Sequence, residues 1–296
     1  MQTIWLVSGA GNRFSVLDNR LSRISLDALS VAATALCRAP FADSLPTEGV
    51  ISLQKSDGIS RFDAAFFNPD GSTGAMCGNG ARCAVVYARN LAAISDTSPI
   101  QFTMAGATYS AELSSAGVTV SFPPAYKIIE SLNVEAFGTT LNAAYVNVGS
   151  DHAVFFYEDL KKEIPDFPDN FHTFDLTAFA IPLRRHRRFA PHGVNINVAK
   201  KSLVDSNTLY LRTFERGVEG ETGSCGTGSL ASAIIGVLRG KVASPVTIIP
   251  KSNRSLIIRM EGGSPYAGLA LDGDAIFHDA IAADIAADGQ VTFAIS

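Results

Sequence analysis

The chain has 296 residues, 47% of them hydrophobic and 18% charged, so it can bury a sizeable core and is not a disordered polypeptide. The net charge is −4, whereas an ordinary nucleic-acid-binding protein carries an excess of basic residues. No apolar run in the sequence reaches the length of a membrane span. Four cysteines are too few for a disulfide framework, which favours a reducing, cytoplasmic location.

Short β-like segments alternate with three helical segments along the chain. Met1–Val7 is interpreted as a first strand, because its apolar run is too short for a signal sequence. The other predicted strands are rich in Val, Ile, Phe and Thr: Gly49–Gln54, Phe62–Phe67, Ile100–Ala105, Gly117–Phe122, Ala144–Val148, Ala153–Tyr157, Thr208–Phe214, Val246–Pro250 and Ser255–Met260. Apolar residues at helical spacing predict helices over Leu26–Arg38, Gly78–Asn90 and Gly226–Arg239.

The last two of these helices begin with the same motif, Cys-Gly-x-Gly. It reads Cys77-Gly78-Asn79-Gly80 in the first and Cys225-Gly226-Thr227-Gly228 in the second, half a chain length further on. An internal duplication into two similar halves explains this repeat more simply than chance does. Two prolines at positions 123 and 124 interrupt a strand-like stretch and mark the predicted hinge.

A cysteine in the first turn of a helix lies at the positive end of the helix dipole, which favours the thiolate. The glycines leave the backbone amides uncovered, so a carboxylate can approach them. One motif in each half predicts two thiols facing each other across a bound carboxylate. Such a pair suits stereoinversion, because one thiolate removes the α-proton, the other thiol returns one, and the helix N-termini stabilise the developing charge.

Other uses of cysteine are weighed against this interpretation. A lone cysteine is more often a small core residue than a catalyst, and Cys37 and Cys83 fit that role. A thiol redox site is disfavoured because Cys77 and Cys83 lack Cys-x-x-Cys spacing, and a zinc site lacks paired ligands. The glycines of the second motif lack the third glycine of a dinucleotide fingerprint. We therefore expect neither a metal nor a cofactor.

At these motifs the sequence resembles the diaminopimelate epimerase family. The specific blocks are residues 68–72 leading to 76–83, and Glu215-Arg216-Gly217 leading to the second cysteine motif. Weaker blocks are residues 11–14, 149–154 and 193–195. The resemblance implies an α+β fold of two similar domains related by a pseudo-twofold axis, each a curled, barrel-like mixed β-sheet around a central helix. Residues 1–123 and the returning segment 276–296 would form one domain and residues 124–275 the other, with the active site in the cleft between them.

The resemblance also implies roles for individual residues. The predicted catalytic residues are Cys77, Cys225, His152 and Glu215, the last two as polar neighbours that help to set protonation. Glu215 is also predicted to contact the substrate. The distal end of the substrate would be bound by four side chains: Asn12, Asn68, Asn195 and Arg216. The proximal carboxylate would be bound by four backbone amides: those of Gly78, Asn79, Gly226 and Thr227. Arginine is a good bidentate partner for a carboxylate, but a surface ion pair with Glu215 or Glu219 is the alternative for Arg216. His152 could equally be a satisfied core histidine.

Three departures from the family pattern are expected not to touch either thiol. Arg13 stands where the family has Asp, Ser150-Asp151 stand where it has Asn-Pro, and an extra residue lengthens the 217–221 loop. The reaction type that the resemblance implies is therefore unaffected by them. The predicted reaction is epimerisation of LL- to meso-diaminopimelate, on the route to lysine and peptidoglycan precursors. A racemase of another amino acid, such as glutamate or histidine, and a non-catalytic amino-acid-binding relative are the alternatives.

The expected partner is a small amino-acid substrate, with neither a nucleic acid nor a membrane. The basic run at residues 184–188 is more typical of a solvated loop than of a phosphate site. The sequence does not decide the oligomeric state, and a homodimer is compatible with it.

Overall fold

The computed structural model describes residues 1–56, 61–73, 76–91, 99–114 and 117–294. The helices in these ranges are α1 (Leu26–Cys37), α2 (Gly78–Asn90), α3 (Tyr157–Glu163), α4 (Leu176–Arg184) and α5 (Gly226–Leu238). The strands are β1 (Gln2–Gly9), β2 (Asn12–Asp18), β3 (Val50–Gln54), β4 (Phe62–Phe67), β5 (Ile100–Met104), β6 (Ala107–Ser114), β7 (Gly117–Phe122), β8 (Lys127–Ala136), β9 (Thr139–Asn147), β10 (Asp151–Phe156), β11 (Asn195–Lys201), β12 (Thr208–Glu215), β13 (Gly220–Glu221), β14 (Val246–Pro250), β15 (Leu256–Met260), β16 (Leu269–Gly273), β17 (Ile276–Ile285) and β18 (Val291–Phe293).

The chain divides into two compact units. Unit 1 is Met1–Ser121 with Asp272–Ser296, and unit 2 is Phe122–Leu271. In unit 1 the strands pair in the order β18-β17-β1-β2-β3-β4-β5-β6-β7, with parallel pairing at β2–β3 and β4–β5. In unit 2 the order is β8-β9-β10-β11-β12-β14-β15, with parallel pairing at β10–β11 and β12–β14.

The two sheets repeat one pattern of strand directions. From β17 to β6, and again from β8 to β15, the pairings run antiparallel, antiparallel, parallel, antiparallel, parallel, antiparallel. Parallel neighbours need a crossover connection, usually a helix. The second crossover contains α2 in unit 1 and α5 in unit 2, so both cysteine motifs occupy the same place in the repeated topology.

Each of these two helices lies inside the sheet of its own unit. Helix α2 contacts β1, β2, β3 and β4, and α5 contacts β9 to β12 together with β14 and β15. Every residue from Gly226 to Gly236 is buried, because α5 is apolar or small on all sides. The predicted α+β fold, with a mixed sheet around a central helix in each half, is confirmed.

The remaining helices cover the outside of the sheets and complete separate cores. Helix α1 packs on a cluster of Leu, Ala and Phe residues with β1 and β2 in unit 1. Helices α3 and α4 cover an aromatic-rich cluster over β9 to β12 in unit 2. No helix within the described ranges is both long and apolar enough to cross a lipid bilayer.

The predicted helix bounds agree closely with the structure. Helix α2 has the predicted ends, and α1 and α5 each end one residue earlier than predicted. The strand at Ala144–Val148 is longer than predicted and begins at Thr139. Eight of the described strands lie outside the predicted ranges: β2, β6, β8, β11, β13, β16, β17 and β18. In β8 only Val134 is buried, and the residues show no clear alternation of apolar and polar side chains.

Candidate active site

The first cysteine motif caps helix α2. Cys77 is extended (φ −112°, ψ 107°), and its Sγ accepts a hydrogen bond from the Gly80 amide at 3.3 Å. The first-turn amides of a helix lack intrahelical partners, so a capping side chain satisfies one of them. A Cβ at Gly80 would lie 3.4 Å from the sulfur and 3.3 Å from Ile51 Cδ1. The cap therefore holds the sulfur at the positive end of the helix dipole.

The second motif repeats this geometry at α5. Cys225 is extended (φ −125°, ψ 111°), and its Sγ accepts from the Gly228 amide at 3.4 Å. A Cβ at Gly228 would lie 3.3 Å from that sulfur. Thr227 Oγ1 lies 3.6 Å from the same sulfur, and Cys225 is only 6% exposed. The repeat seen in the sequence is thus also a repeat of backbone conformation and hydrogen bonding.

A buried arginine supports the first turn of α2. Arg82 is fully buried, and it donates to Asn79 Oδ1 at 2.9 Å and to the Gly78 carbonyl at 3.2 Å. Its Nε donates to the Asp274 carbonyl at 3.1 Å. Burial disfavours the charged guanidinium and lowers the pKa of Arg82. Asn79 is predicted to bind substrate through its backbone amide, so the bond to its side chain does not compete with that role.

His152 lies fully buried in β10, and both of its ring nitrogens are hydrogen-bonded. Nε2 lies 2.7 Å from Ser150 Oγ, and Nδ1 lies 3.1 Å from Asn197 Nδ2. The Asn197 amide group also donates to the Ala153 carbonyl, while its Oδ1 accepts from Thr213 Oγ1. This orientation makes Asn197 Nδ2 the donor to Nδ1, so the ring proton lies on Nε2 and is donated to Ser150.

Ser150 links His152 to the second cysteine. The Ser150 hydroxyl donates to Thr227 Oγ1 at 3.2 Å, and Thr227 Oγ1 in turn lies next to Cys225 Sγ. All four side chains are buried. His152 and Cys225 are therefore joined by a chain of two hydroxyl groups.

Glu215 contacts Cys225 directly from the end of β12. Its carboxylate accepts from Thr222 Oγ1 at 2.5 Å and hydrogen-bonds the Cys225 side chain. Burial raises the pKa of Glu215, and these two hydrogen bonds offset only part of that rise. The structure thus brings Glu215, Thr227 and Cys225 together within unit 2.

Arg216 and Asn195 form a second polar group in unit 2. The Asn195 amide donates to the Asp151 carbonyl at 2.8 Å, and Asn195 Oδ1 accepts from the Arg216 backbone amide at 2.8 Å. Arg216 Nη1 donates to Asp151 Oδ2 at 3.0 Å and to the Gly193 carbonyl at 3.1 Å. Among the described side chains its ionic partner is therefore Asp151, and not the Glu215 or Glu219 that the sequence suggested as alternatives.

The two predicted distal contacts of unit 1 lie at the start of β2 and in the turn after β4. Asn12 is 4% exposed and begins β2 after the two-residue turn Ala10-Gly11, in which both residues have positive φ. Asn68 lies in the turn after β4 and donates through Nδ2 to Ser72 Oγ at 2.9 Å. Arg13, a departure from the family, pairs with Asp43 at 2.7 Å.

The extra residue of the 217–221 loop lies in a tight turn that holds Glu219. Glu219 has a positive φ of 54° and pairs with Arg184 at 2.5 Å. Arg184 is only 6% exposed, so the basic run at residues 184–188 is not a uniformly solvated face. Arg188 instead lines a cavity of about 330 Å³ that Lys127, Tyr145 and Asp151 also line.

The remaining cysteines have the surroundings of core residues. Cys37 is 2% exposed in α1, and burial raises its pKa to about 11. Cys83 is fully buried in α2, and burial raises its pKa further. Within the described ranges, no group of three His, Cys, Asp or Glu side chains is arranged to hold a metal ion.

Several polar contacts of the site were not singled out from the sequence. Asn197 and Thr213 hold His152, and Thr222 holds Glu215. All three lie on or next to strands where polar side chains are buried, a feature that the sequence does not reveal. Ser150 and Asp151 were noted only as departures from a family pattern, although both join the hydrogen-bond network.

Comparison with known proteins places the chain in one family. A model of the family described as diaminopimelate epimerase matches residues 144–274. The chain is 33% identical over 267 residues to a diaminopimelate epimerase of Hydrogenobaculum sp. (strain Y04AAS1), covering 87% of this chain and 91% of that protein. It is 31% identical over 263 residues to a diaminopimelate epimerase of Aquifex aeolicus (strain VF5), covering 86% and 88%.

A solved structure shows the same fold at low sequence identity. The crystal structure of a probable proline racemase from Agrobacterium radiobacter K84, with bound carbonate, aligns with a TM-score of 0.68 and 14% identity. The alignment covers 95% of this chain and 92% of that one. At this identity the similarity concerns the fold alone.

Proposed function

The chain belongs to the diaminopimelate epimerase family, a family of isomerases, and from that membership we propose that it interconverts LL- and meso-diaminopimelate. In this proposal Cys77 and Cys225 exchange a proton at one α-carbon without an added cofactor. As the resemblance implies, the product would serve lysine and peptidoglycan synthesis.

One observation carries the proposal: the same cysteine cap stands at the start of α2 and of α5. Each sulfur accepts a hydrogen bond from the amide of the residue three positions later. Each helix occupies the same crossover in the repeated strand pattern. Packing alone does not require a cysteine cap twice, since Ser, Thr, Asp and Asn are the usual capping residues.

The chemistry assigned to each cysteine follows from its helix. One sulfur, as thiolate, accepts the α-proton, while the other, as thiol, donates a proton to the opposite face of the same carbon. The first-turn amides of Gly78, Asn79, Gly226 and Thr227 would bind the α-carboxylate and stabilise the negative charge that develops there. A substrate of opposite configuration would reverse the two roles.

Glu215 and His152 are assigned different roles on the Cys225 side. Glu215 contacts the thiol, so its carboxylate can favour the protonated form of Cys225 by accepting its hydrogen. His152 acts through Ser150 and Thr227, and it stays neutral because burial lowers its pKa to about 3. We therefore assign His152 to orienting the hydroxyl chain rather than to moving the substrate proton.

The test is exchange of the α-proton with solvent. In D₂O, LL-diaminopimelate should gain one deuterium at the inverted centre, as followed by mass spectrometry and ¹H NMR. Cys77→Ala and Cys225→Ala should each reduce inversion by at least about 10³-fold, because an acid or base that acts as part of a pair is not replaced by water. Cys37→Ala is the matched control, since Cys37 lies in the core of α1.

The same assay separates the alternatives. Exchange with glutamate or histidine and none with diaminopimelate would identify a racemase of another amino acid. Binding without exchange, unchanged in both cysteine variants, would identify a non-catalytic relative. Ser150 and Asp151 make this panel necessary, because they replace the residues that the family carries beside the histidine.

A further inference from the structure

Arg216 contacts the protein through one corner of its guanidinium group. Nη1 donates to both Asp151 Oδ2 and the Gly193 carbonyl. Among the residues that the structure describes, no group accepts a hydrogen bond from Nε or Nη2. The side chain is 27% exposed, so that edge can reach a ligand.

Asp151 is itself held on both oxygens. Tyr145 Oη donates to Oδ1 at 2.6 Å, and Asn147 Nδ2 donates to the same oxygen at 2.9 Å. Oδ2 accepts from Arg216. Burial alone would raise the pKa of Asp151, but the hydrogen bonds from Tyr145 and Arg216 outweigh it and keep the pKa below its usual value. Asp151 is therefore an ionised, fixed acceptor and not a free one.

We propose that Asp151 is a positioning residue that anchors Nη1 of Arg216 and thereby presents the Nε–Nη2 edge of the guanidinium to the distal carboxylate of the substrate. This inference rests on the proposed function, which supplies a substrate with a second carboxylate. Two parallel N–H···O bonds from one edge of arginine are the geometry that carboxylates prefer. Asp151 stands where the family resemblance places a proline, and a proline side chain could not accept a hydrogen bond from Arg216.

Asp151 has two opposing effects on ligand binding, so the direction in which affinity changes when it is removed tests the proposal. Its negative charge weakens the attraction between Arg216 and a carboxylate, so its removal would tighten binding if charge dominated. Its hydrogen bond fixes a flexible side chain before binding, so its removal would weaken binding if positioning dominated. We expect positioning to dominate, because Asp151 occupies the corner of the guanidinium that a bidentate carboxylate leaves unused.

The experiment measures ligand affinity separately from turnover. Meso-diaminopimelate is titrated calorimetrically into Cys225→Ala and into Cys225→Ala with Asp151→Asn. An amide at position 151 cannot accept from Tyr145, Asn147 and Arg216 together, because one of its ends is a donor. The dissociation constant should rise by about 10- to 100-fold, the range for one misplaced charged hydrogen bond. With both cysteines present, Asp151→Asn should raise KM and leave kcat nearly unchanged.

Asp159→Asn is the matched control, since Asp159 pairs with Arg239 and Lys241 in the same unit, outside the proposed site. It should leave affinity and KM unchanged. Tyr145→Phe is a milder second variant that removes one bond to Asp151 and should weaken affinity in the same direction. An unchanged or tighter dissociation constant in Asp151→Asn would overturn the proposal, and so would parallel losses of kcat and thermal stability. If the protein binds meso-diaminopimelate but exchanges no α-proton, the proposed function fails while the titration still decides the role of Asp151.

Discussion

Burial decides the chemistry of His152. The side chain has no exposed surface, and burial lowers its pKa to about 3, although the charge of Asp151 acts in the opposite direction. The ring is therefore neutral at physiological pH and donates through Nε2. The same burial lowers the stability of the folded state at acidic pH, because His152 binds a proton in the unfolded chain and not in the folded chain.

The stability of the fold should therefore depend on His152 between pH 6.5 and about 3. In this window the unfolded histidine is protonated and the folded one is not, so stability falls as pH is lowered from 6.5, by up to about 1.4 kcal/mol per pH unit. Urea unfolding at a series of pH values measures the slope. His152→Gln should flatten it, and the exposed His172→Gln should not. An unchanged slope in His152→Gln would show that other groups control acid unfolding.

The two cysteine caps differ in how tightly the glycine of each first helical turn is packed. Gly80 and Gly228 both donate their amides to the cysteine sulfur three residues earlier. Their surroundings differ, however. A Cβ at Gly80 would meet its nearest atom at 3.3 Å, whereas one at Gly228 would lie 2.4 Å from Asn197 Oδ1. The second motif is thus packed against the residue that orients His152.

We therefore expect the two glycines to respond differently to alanine. Gly228→Ala should destabilise the fold by about 1–3 kcal/mol, the usual effect of overpacking, because Asn197 must move away from its place. It should also reduce epimerisation by displacing the partner of His152. Gly80→Ala should change stability by less than about 1 kcal/mol, since alanine favours the helix and only small shifts are needed. Urea unfolding and the exchange assay compare the two, and equal effects would contradict this account.

Each of the two units has its own hydrophobic core. In unit 2 a nearly buried ion pair lies beside that core. Arg212 and Glu221, with side chains 9% and 11% exposed, meet at 2.6 Å. Arg212 also donates to the carbonyls of Phe171 and Phe174, and its guanidinium lies 4.4 Å from the centre of the Phe174 ring. The pair thereby ties the segment before α4 to β12.

Arg212→Met should destabilise unit 2 by about 3 kcal/mol, the lower end of the range for a broken buried ion pair, because the nearly buried Glu221 keeps only the exposed Lys251 as an ionic partner. Lys161→Met provides the comparison, since Lys161 pairs with the exposed Asp169 and its loss should change stability far less. Chemical denaturation measures both. The double variant Arg212→Met with Glu221→Gln should recover part of the loss, and no recovery would argue that the contacts of Arg212 with the backbone carbonyls dominate.

Much of the candidate site was readable from the sequence because its central feature is local. A cysteine cap requires only an extended residue, a following helix and glycines nearby, so both motifs and the bounds of α2 were predicted without knowledge of the fold. Enrichment in Val, Ile, Phe and Thr likewise located ten of the described strands: β1, β3, β4, β5, β7, β9, β10, β12, β14 and β15. Strand β8 escaped prediction because few of its side chains are buried, and α4 because Pro182 lies inside it.

Short segments and their order were enough to predict the fold class, the duplicated cysteine caps and the family. The tertiary structure decided which polar side chains meet. Asp151 reaches Arg216 across 65 positions and Ser150 reaches Thr227 across 77, through strand pairings that bring distant segments together. Because burial and hydrogen-bond partners set the pKa of His152 and the orientation of Arg216, these properties exist only once the strands have paired.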